Sequence, residues 1–279
     1  MKSLLQKFSI VVLFLLFSSY SPVNNQDFQG QAYYFSKSKM ELGNWGARLN
    51  EAQKKQIEAR LKNRLEKTYV LTFNRTESIF KEEDKLDAMS GATDSWGKNF
   101  TPGDQYKNVK TNSQVQNQEF YGKKFLVTDE LQPIEWTMGS ETKQIGNYLC
   151  NKATALIPTN DLTWYEFSWS KLSDSDSSEN ADNDETKSTE VEMTQVEAWY
   201  TLQIPVRHGP LEYWGLPGLI LEVSAGNTTM LCSKIVMNPE EKIEIEAPDK
   251  GKIVTKQEYQ ETVATKMKEF RDNRVRRRG

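Results

Sequence analysis

Few side chains of this chain are suited to catalysis. His208 is the only histidine among 279 residues, and it stands between Arg207 and Gly209, with Glu212 four positions further on. A lone histidine acts as a general base only beside a nucleophile and an orienting carboxylate, and the chain contains no Gly-x-Ser-x-Gly nucleophile elbow. Tetrahedral zinc needs several histidine or cysteine ligands. We therefore expect no metal, no cofactor and no catalytic residue, and a hydrolase built around His208 and Glu212 is the enzymatic alternative.

Acidic residues offer two other kinds of chemistry. Glu197, Glu212 and Glu222 surround an aromatic-rich segment, and two of them could be the paired carboxylates of a glycoside hydrolase. Spaced glutamates are equally typical of the solvent face of strands. Residues 173–194 carry eight acidic side chains and one basic side chain, Lys187. A calcium site is the alternative interpretation of this tract, but the tract lacks the Asp-x-Asp-x-Asp-Gly framework of such sites. This tract has too few apolar residues to offset the entropy of ordering, so we predict a disordered acidic insertion.

The two cysteines, Cys150 and Cys232, each end a strand-like segment. In an exported protein two cysteines tend to pair, so we predict a Cys150–Cys232 disulfide, with two separate buried thiols as the alternative. A redox-active role is not expected, because the chain lacks a Cys-x-x-Cys spacing.

Residues 199–223 form the most distinctive segment, in which aromatic residues, prolines and glycines precede the apolar run Leu219–Val223. Pro217 fixes its own φ and Gly218 can adopt a positive φ, so the sequence predicts a type II turn. The aromatic side chains, together with Trp164 and Trp169, could line a concave apolar pocket or a partner surface, or fill the core. For Trp199 and Trp214 the core is favoured. The candidate ligand or partner surface comprises Trp199, Tyr200, His208, Tyr213, Trp214, Gly215, Leu216, Pro217 and Gly218.

The N-terminus is typical of an export signal. Lys2 and Lys7 precede or flank an apolar run over residues 8–17, which has the length of a signal-peptide core and is short for a membrane span. We predict a signal peptide over residues 1–21, with an uncertain cleavage site because Pro22 would follow the cut. An uncleaved anchor is the alternative. The first cysteine is Cys150, so a lipoprotein is not expected.

The remaining pattern predicts a mainly β (α+β) fold in one domain over residues 22–272, followed by a basic tail over residues 273–279. Strands are expected over residues 31–36, 69–80, 120–127, 134–138, 148–157, 219–223, 228–237 and 242–246. Their short intervals favour a large curved antiparallel sheet, with a half-barrel as one form it could take. A capping box of Asn50 and Gln53 opens an N-terminal helix, and Thr255 and Glu258 open a C-terminal helix. Its predicted apolar face comprises Tyr259, Val263, Met267 and Phe270.

Several segments together resemble the GLPGLI family of secreted bacterial proteins, whose name is the hexapeptide at residues 215–220. The segments that carry the resemblance are residues 69–81, 135–136, 145–155, 199–223 and 250–255. The family is similar to exported proteins of the Gram-negative envelope and has no settled activity. The resemblance therefore implies a location in the periplasm or at the outer membrane. One helix followed by many strands also resembles the half-barrel of periplasmic lipoprotein carriers, a likeness of architecture that transfers no ligand.

These observations predict an exported, non-catalytic envelope protein that binds a lipid-like hydrophobic ligand or an outer-membrane or periplasmic protein. A structural or interaction module without a small ligand is the alternative. The formal charge of −3 gives no reason to expect nucleic acid as a partner. The oligomeric state is not predicted. A ligand carrier should have a concave sheet with an apolar lining, whereas an interaction module should have a filled core and an exposed aromatic patch.

Overall fold

A computed structural model describes residues 28–39, 49–83, 102–162, 192–241 and 243–276. The predicted signal peptide, most of the acidic insertion, Trp164, Trp169 and the end of the basic tail lie outside these ranges. Within the ranges, no helix is both long enough and apolar enough to cross a membrane.

The described residues form one sheet of twelve strands, with two helices of more than one turn. The order across the sheet is β12-β6-β5-β4-β3-β2-β1-β11-β10-β9-β8-β7, and only the β12–β6 pair is parallel. The strands are β1 (Gln29–Ser38), β2 (Glu66–Asn74), β3 (Glu77–Glu82), β4 (Gln105–Asn108), β5 (Ser113–Phe120), β6 (Lys123–Glu130), β7 (Thr137–Ile145), β8 (Tyr148–Pro158), β9 (Met193–Thr201), β10 (Leu219–Ala225), β11 (Thr228–Met237) and β12 (Lys252–Val254). The helices are α1 (Glu51–Leu65), α2 (Thr159–Leu162) and α3 (Lys256–Arg276). The predicted fold class, with its N-terminal and C-terminal helices, is confirmed.

Chain connectivity requires the sheet to curve. β6 and β7 are consecutive in sequence but lie ten strand positions apart in the sheet. In a flat sheet that separation would be about 48 Å. Residues 131–136 are the only connection, and the seven steps from Glu130 to Thr137 reach about 25 Å when fully extended. The two ends of the sheet must therefore approach each other, which creates a concave face.

Two of the predicted strands are hairpins. The predicted strand at residues 69–80 is broken after Asn74, whose side-chain oxygen accepts hydrogen bonds from the N–H groups of Thr76 and Glu77 at 2.8 and 2.7 Å. The predicted strand at residues 120–127 is broken at Tyr121 and Gly122, both of which have positive φ. Apolar or β-branched residues stand on both sides of each turn, so the overall composition of each segment did not reveal the turn.

Three further predictions can be compared with the observed elements. The strand predicted at residues 134–138 begins at Thr137 and continues to Ile145. The strand predicted at residues 242–246 is wrong, because residues 243–250 pair with no strand in the described part of the chain. Both capping boxes are confirmed, with hydrogen bonds of 2.8 and 3.0 Å at Asn50 and 3.2 and 2.8 Å at Thr255.

Two apolar clusters and a polar region between them occupy the buried parts of the sheet. The larger cluster, the main core, combines side chains of β1, β2 and β8–β11 with residues of the β9–β10 loop. The smaller one, the α3 cluster, consists of Phe120, Phe125, Val127, Val254, Tyr259 and Met267. Between them lie buried polar residues of β3, β4 and β5, here called the polar stripe: Ser78, Gln105, Lys107, Gln116 and Gln118.

Candidate functional site: the concave face and the β9–β10 loop

The β9–β10 loop, residues 202–218, lies inside the concave face. On one side it is bonded to the start of β10, where the N–H groups of Leu219 and Ile220 donate to the carbonyls of Ile204 and His208 at 3.0 and 3.1 Å. On the other side it is bonded to Lys107 of β4, five strand positions away. In a flat sheet those strands would be about 24 Å apart. The loop thus bridges and fills the curved sheet.

Lys107 is the central contact of this loop on β4. Its side chain is fully buried, and Nζ donates to the carbonyls of Gly209, Leu211 and Tyr213 at 2.8, 2.5 and 3.5 Å. Burial lowers the pKa of this ammonium group to about 7, and the nearby Glu212 carboxylate acts in the opposite direction. An ammonium group has three N–H donors, and the loop supplies an acceptor for each. Lys107 therefore fixes the backbone conformation of residues 209–213.

His208 is also buried, and its ring is held by β2. Nε2 lies 3.1 Å from the backbone carbonyl oxygen of Asn74. Because a carbonyl oxygen only accepts hydrogen bonds, Nε2 carries the proton and Nδ1 is bare. Burial, and secondarily the charge of Lys107, lower the pKa of His208 to about 3. The ring is therefore neutral near pH 7, weakly basic and closed to solvent, which does not suit a general base.

The turn predicted at Pro217 and Gly218 is wrong in its backbone geometry. The residue with positive φ is Gly215, at 96°, and Gly218 does not have one. Gly218 is instead required by close packing, since a Cβ built on it would lie 2.0 Å from the carbonyl oxygen of Thr201. The sequence correctly indicated that these glycines shape the backbone, but it could not separate a conformational requirement from a steric one.

Trp214 joins the loop to the linker that connects the two ends of the sheet. Its ring is buried, and its indole Nε1 donates to the carbonyl of Gln132 at 2.9 Å. In return, Nε1 of Trp136 donates to the carbonyl of Trp214 at 2.8 Å, and the Arg207 guanidinium lies 5.6 Å from the Trp214 ring centroid. Both polar edges of this aromatic pair are satisfied within the fold, as buried tryptophans require.

Trp199 occupies a different environment. Side chains alternate along a strand, so Trp199 points away from the face shared by Ala198 and Tyr200. Nζ of Lys143 and of Lys152 lie 4.3 and 5.6 Å from its ring centroid, and its Nε1 donates to Glu197 at 2.9 Å. Trp199 is thus buried beneath two lysine side chains, and it belongs to the same apolar cluster as the loop aromatic Tyr213.

The glutamates of this outer face are held by lysines. Glu222 pairs with Lys143 at 2.7 Å, and Glu197 pairs with Lys152 at 3.0 Å. The hydrogen bond from Lys152 is the main cause that lowers the pKa of Glu197. A glycoside hydrolase needs one carboxyl group with a raised pKa to protonate its leaving group, so this arrangement does not fit that chemistry.

The predicted disulfide between Cys150 and Cys232 is wrong, because both cysteines are free and buried. They belong to β8 and β11, with β9 and β10 between them. That spacing corresponds to about 14 Å along the sheet, whereas a disulfide requires Cα atoms within about 7 Å. Burial raises the thiol pKa of Cys150 to about 11 and that of Cys232 to about 12, so both are unreactive at neutral pH.

The polar stripe contains hydrogen-bonding atoms without partners. Within the described residues, no partner exists for Ser78 Oγ or for either side-chain atom of Gln105, and the same holds outside the stripe for His208 Nδ1 in the β9–β10 loop. The hydroxyl of Tyr259, in the neighbouring α3 cluster, also has no hydrogen-bond partner within the described residues. Buried polar atoms without partners are rare in folded proteins, and each one calls for an explanation.

The structure brings together most of the predicted candidate surface, although in a buried position. The residues that lie within the concave face or its core are Tyr200, His208, Tyr213, Trp214, Leu216 and Gly218. Gly215 is half-buried and Pro217 is exposed, while Trp199 lies on the other face. A binding role for these residues stays a prediction. Sequence reasoning missed Lys107 and the polar stripe, whose Gln-Tyr-Lys-Asn and Gln-x-Gln segments look like solvated polar strands.

Comparison with known proteins finds a family that is similar to part of the chain. A family model described as a protein of unknown function (Porph_ging) matches residues 136–222. The chain is similar to that family over these residues. They span β7 to β10 and include the β9–β10 loop with its hexapeptide; the GLPGLI family itself stays a prediction. No curated protein matches the chain.

Two solved structures of PNGF-II, in the C2 and P21 space groups, are similar to the chain. Their TM-scores are 0.47 and 0.43, with sequence identities of 13% and 15%. The similarity covers 84% and 82% of this chain but 32% and 31% of the PNGF-II chains. The chain thus spans about a third of the length of these solved structures.

Proposed function

We propose that the protein is an exported, non-catalytic component of the bacterial envelope that binds an outer-membrane or periplasmic protein. The observation that carries this proposal is the internal use of the β9–β10 loop. Its backbone carbonyls accept from Lys107, its histidine donates to Asn74, and the indole of Trp214 donates to Gln132. The residues that looked most like a binding or catalytic site therefore stabilise the curved sheet. A protein partner would then bind to the outer surface of the protein.

A lipid-like ligand receives less support than a protein partner. A hydrophobic carrier needs an open apolar interior, but in this fold the loop side chains Tyr213, Trp214 and Leu216 fill the concave face. The alternative of an interaction module called for an exposed aromatic patch. One such patch is formed by Tyr121 and Phe270, whose ring centroids lie 4.9 Å apart and whose side chains are 45% and 42% exposed.

Tyr121 is an unusual residue for its position. It stands in the two-residue turn between β5 and β6 with φ 48°, followed by Gly122 with φ 76°. Such turns favour asparagine or glycine, and a bulky residue there costs about 1–3 kcal/mol of backbone strain. An aromatic side chain at a strained, exposed turn is what a partner-binding surface would retain. The proposed partner surface is therefore the pair Tyr121 and Phe270.

The test compares the full chain with Tyr121→Asn after expression in a Gram-negative cell. Asparagine suits the turn, so this variant should be as stable as the wild type or slightly more stable, yet it should lose its partner. The measurement is photo-crosslinking from an unnatural residue at Phe270 in the periplasmic fraction. A crosslink present in the wild type, absent in Tyr121→Asn and unaffected by Leu156→Ser on a distant exposed position supports the proposal.

Native mass spectrometry of the exported protein separates the two kinds of target. A bare mass agrees with a protein partner. A co-purifying lipid that is lost on denaturation would contradict the proposal in favour of a hydrophobic ligand, and retention in the cytoplasm would contradict export.

A further inference from the structure

The polar stripe is buried in a state that leaves several of its hydrogen-bonding groups unused. Ser78, Gln105 and Tyr259 are at most 1% exposed, and Ser78 Oγ, both amide atoms of Gln105 and the Tyr259 hydroxyl have no partner in the described part of the chain. Each such group is less stable than a hydrated or hydrogen-bonded one. The unsatisfied groups therefore make the closed arrangement less stable, and a hydrogen bond to water or to a ligand would remove that cost.

Next to the polar stripe, α3 packs against β6, the neighbour of β5 in the sheet. Its contact with the strands runs through Tyr259, Val263 and Met267, and the Tyr259 ring meets Phe125 edge-on at 5.3 Å. In the register of β5 and β6, Gln116 and Gln118 stand opposite Val127 and Phe125. The polar stripe thus begins beside the patch that α3 covers. Few apolar side chains of the α3 cluster contact the helix, and the Tyr259 hydroxyl, which has no partner within the described residues, would gain one when the helix opens.

The N-terminal end of α3 is fastened more firmly than its body. The backbone N–H of Lys256 donates to the carboxylate of Asp129 at 2.7 Å, and its Nζ donates to the carbonyl of Asp161 at 2.6 Å. Thr255 and Glu258 add the capping box. A helix anchored by hydrogen bonds at its first turn, and held beyond it by the apolar contacts of Val263, Met267 and Phe270, can move as a unit about that turn.

We propose that the polar stripe is a concealed binding site for a small uncharged molecule that carries amide or hydroxyl groups, with α3 as its movable cover. The chemistry of the ligand follows from the groups that would meet it. Serine and glutamine side chains and a tyrosine hydroxyl supply neutral donors and acceptors. The three donors of Lys107 are already bonded to the loop, so a charged ligand would lack compensation. The lining of this site differs from the proposed partner surface, but Phe270 lies on α3, so an opening of α3 would also separate Phe270 from Tyr121.

The first experiment removes the unused groups and follows α3. Tyr259→Phe and Gln105→Leu keep the side-chain volume and delete buried atoms that have no partner within the described residues, and on this proposal those atoms gain partners when α3 opens. In the full chain, hydrogen exchange of residues 256–276 should slow about threefold to tenfold in each variant, whereas Thr265→Val on the exposed side of α3 should change it little. Faster exchange and a lower melting temperature in both variants would mean that these atoms have partners in the closed state. That result would overturn the proposal, as would exchange of α3 as slow as that of β1 and β2 in the wild type.

The second experiment supplies the missing hydrogen bonds. N-methylacetamide and glycerol serve as the amide and hydroxyl probes, and the side-chain NH₂ resonances of Gln105 are followed by NMR. A saturable shift with either probe, absent in the Tyr259→Phe variant or with its apparent affinity reduced several-fold, supports the site and identifies the preferred chemistry. A shift that grows linearly without saturation, or no shift with both probes, overturns the proposal.

Discussion

The two ends of this sheet are filled in opposite ways. At the end formed by β1, β2 and β8–β11, the β9–β10 loop fills the concave face, and the main core is large. Most polar groups there have partners, since the loop carbonyls accept from Lys107 of the polar stripe and Trp214 and Trp136 bond across the linker, whereas His208 Nδ1 has none within the described residues. At the other end, α3 covers a small apolar cluster next to a polar stripe with unused hydrogen-bonding groups.

This difference shows where stability and function can be separated. A region in which every polar group has a partner gains from staying closed, because opening it breaks hydrogen bonds as well as apolar contacts. A region with unused polar groups loses less on opening, because water then satisfies those groups. We therefore expect the loop-filled end to act as a rigid frame and the α3 end to open first.

The largest expected effect comes from removing Trp214. Trp214→Ala should lower the free energy of unfolding by about 4 kcal/mol, because it leaves a cavity where a buried ring stood and removes the donor to Gln132. Urea denaturation of the variant measures this. Phe270→Ala, a half-exposed aromatic at the α3 end, should cost less than about 1 kcal/mol. Equal costs at both sites would break the contrast between the two ends. A stable Trp214→Ala protein would also support the earlier hypothesis that the aromatic residues line an apolar pocket.

The next effect tests the polar matching of the frame. Lys107→Met keeps the chain length but leaves the carbonyls of Gly209, Leu211 and Tyr213 without their buried donor. We expect a loss of about 3 kcal/mol in unfolding free energy, together with faster hydrogen exchange over residues 203–215. Lys123→Met, on an exposed strand position, is the control and should change little. Unchanged exchange in the loop would show that Lys107 does not fix it.

A smaller effect is expected from the close contact at Gly218. In Gly218→Ala the new Cβ would press on the backbone of Thr201, which cannot move without disturbing β9. Such overpacking should cost about 2 kcal/mol. Gly139→Ala in β7 is the matched control, because its nearest contact would be 3.3 Å away. Circular dichroism melting of both variants measures the difference, and equal melting temperatures would mean that the loop can shift to accept the methyl group.

The sequence predicted those features of the fold that depend on local chemistry. Strand composition predicted a sheet, and the capping residues Asn50 and Thr255 marked the starts of both long helices. Turns that interrupt an apolar run were missed, since the signal at Asn74 is a single side chain and Tyr121 is an atypical turn residue. The order of the strands along the chain also does not reveal their order in the sheet. Two cysteines on strands that are not neighbours were therefore predicted to pair.

The site could be predicted only in part, for a related reason. The loop residues His208 and Trp214 stand out by type, which correctly drew attention to their segment. What they contact is decided by curvature, which brings β4 to a loop that follows it by about ninety-five residues. Lys107 therefore looks like an ordinary strand lysine until the sheet is assembled. A buried lysine has no local signal, because its acceptors lie in a distant part of the sequence.

The last prediction uses pH to test whether His208 stays uncharged in the loop-filled end of the sheet. His208→Gln retains a donor for the Asn74 carbonyl but cannot titrate, and it should cost about 1 kcal/mol at pH 7 through lost ring packing. In the wild type, the unfolded chain binds a proton near pH 6.5, whereas burial and Lys107 keep the folded ring neutral down to about pH 3. Between these values wild-type stability falls with decreasing pH by up to about 1.4 kcal/mol per unit from this group. The variant lacks this slope, so urea midpoints measured from pH 7 to pH 4.5 should converge and then cross. Parallel curves would mean that the folded protein accepts a charged imidazole beside Lys107, which a rigid interior closed to solvent would not allow.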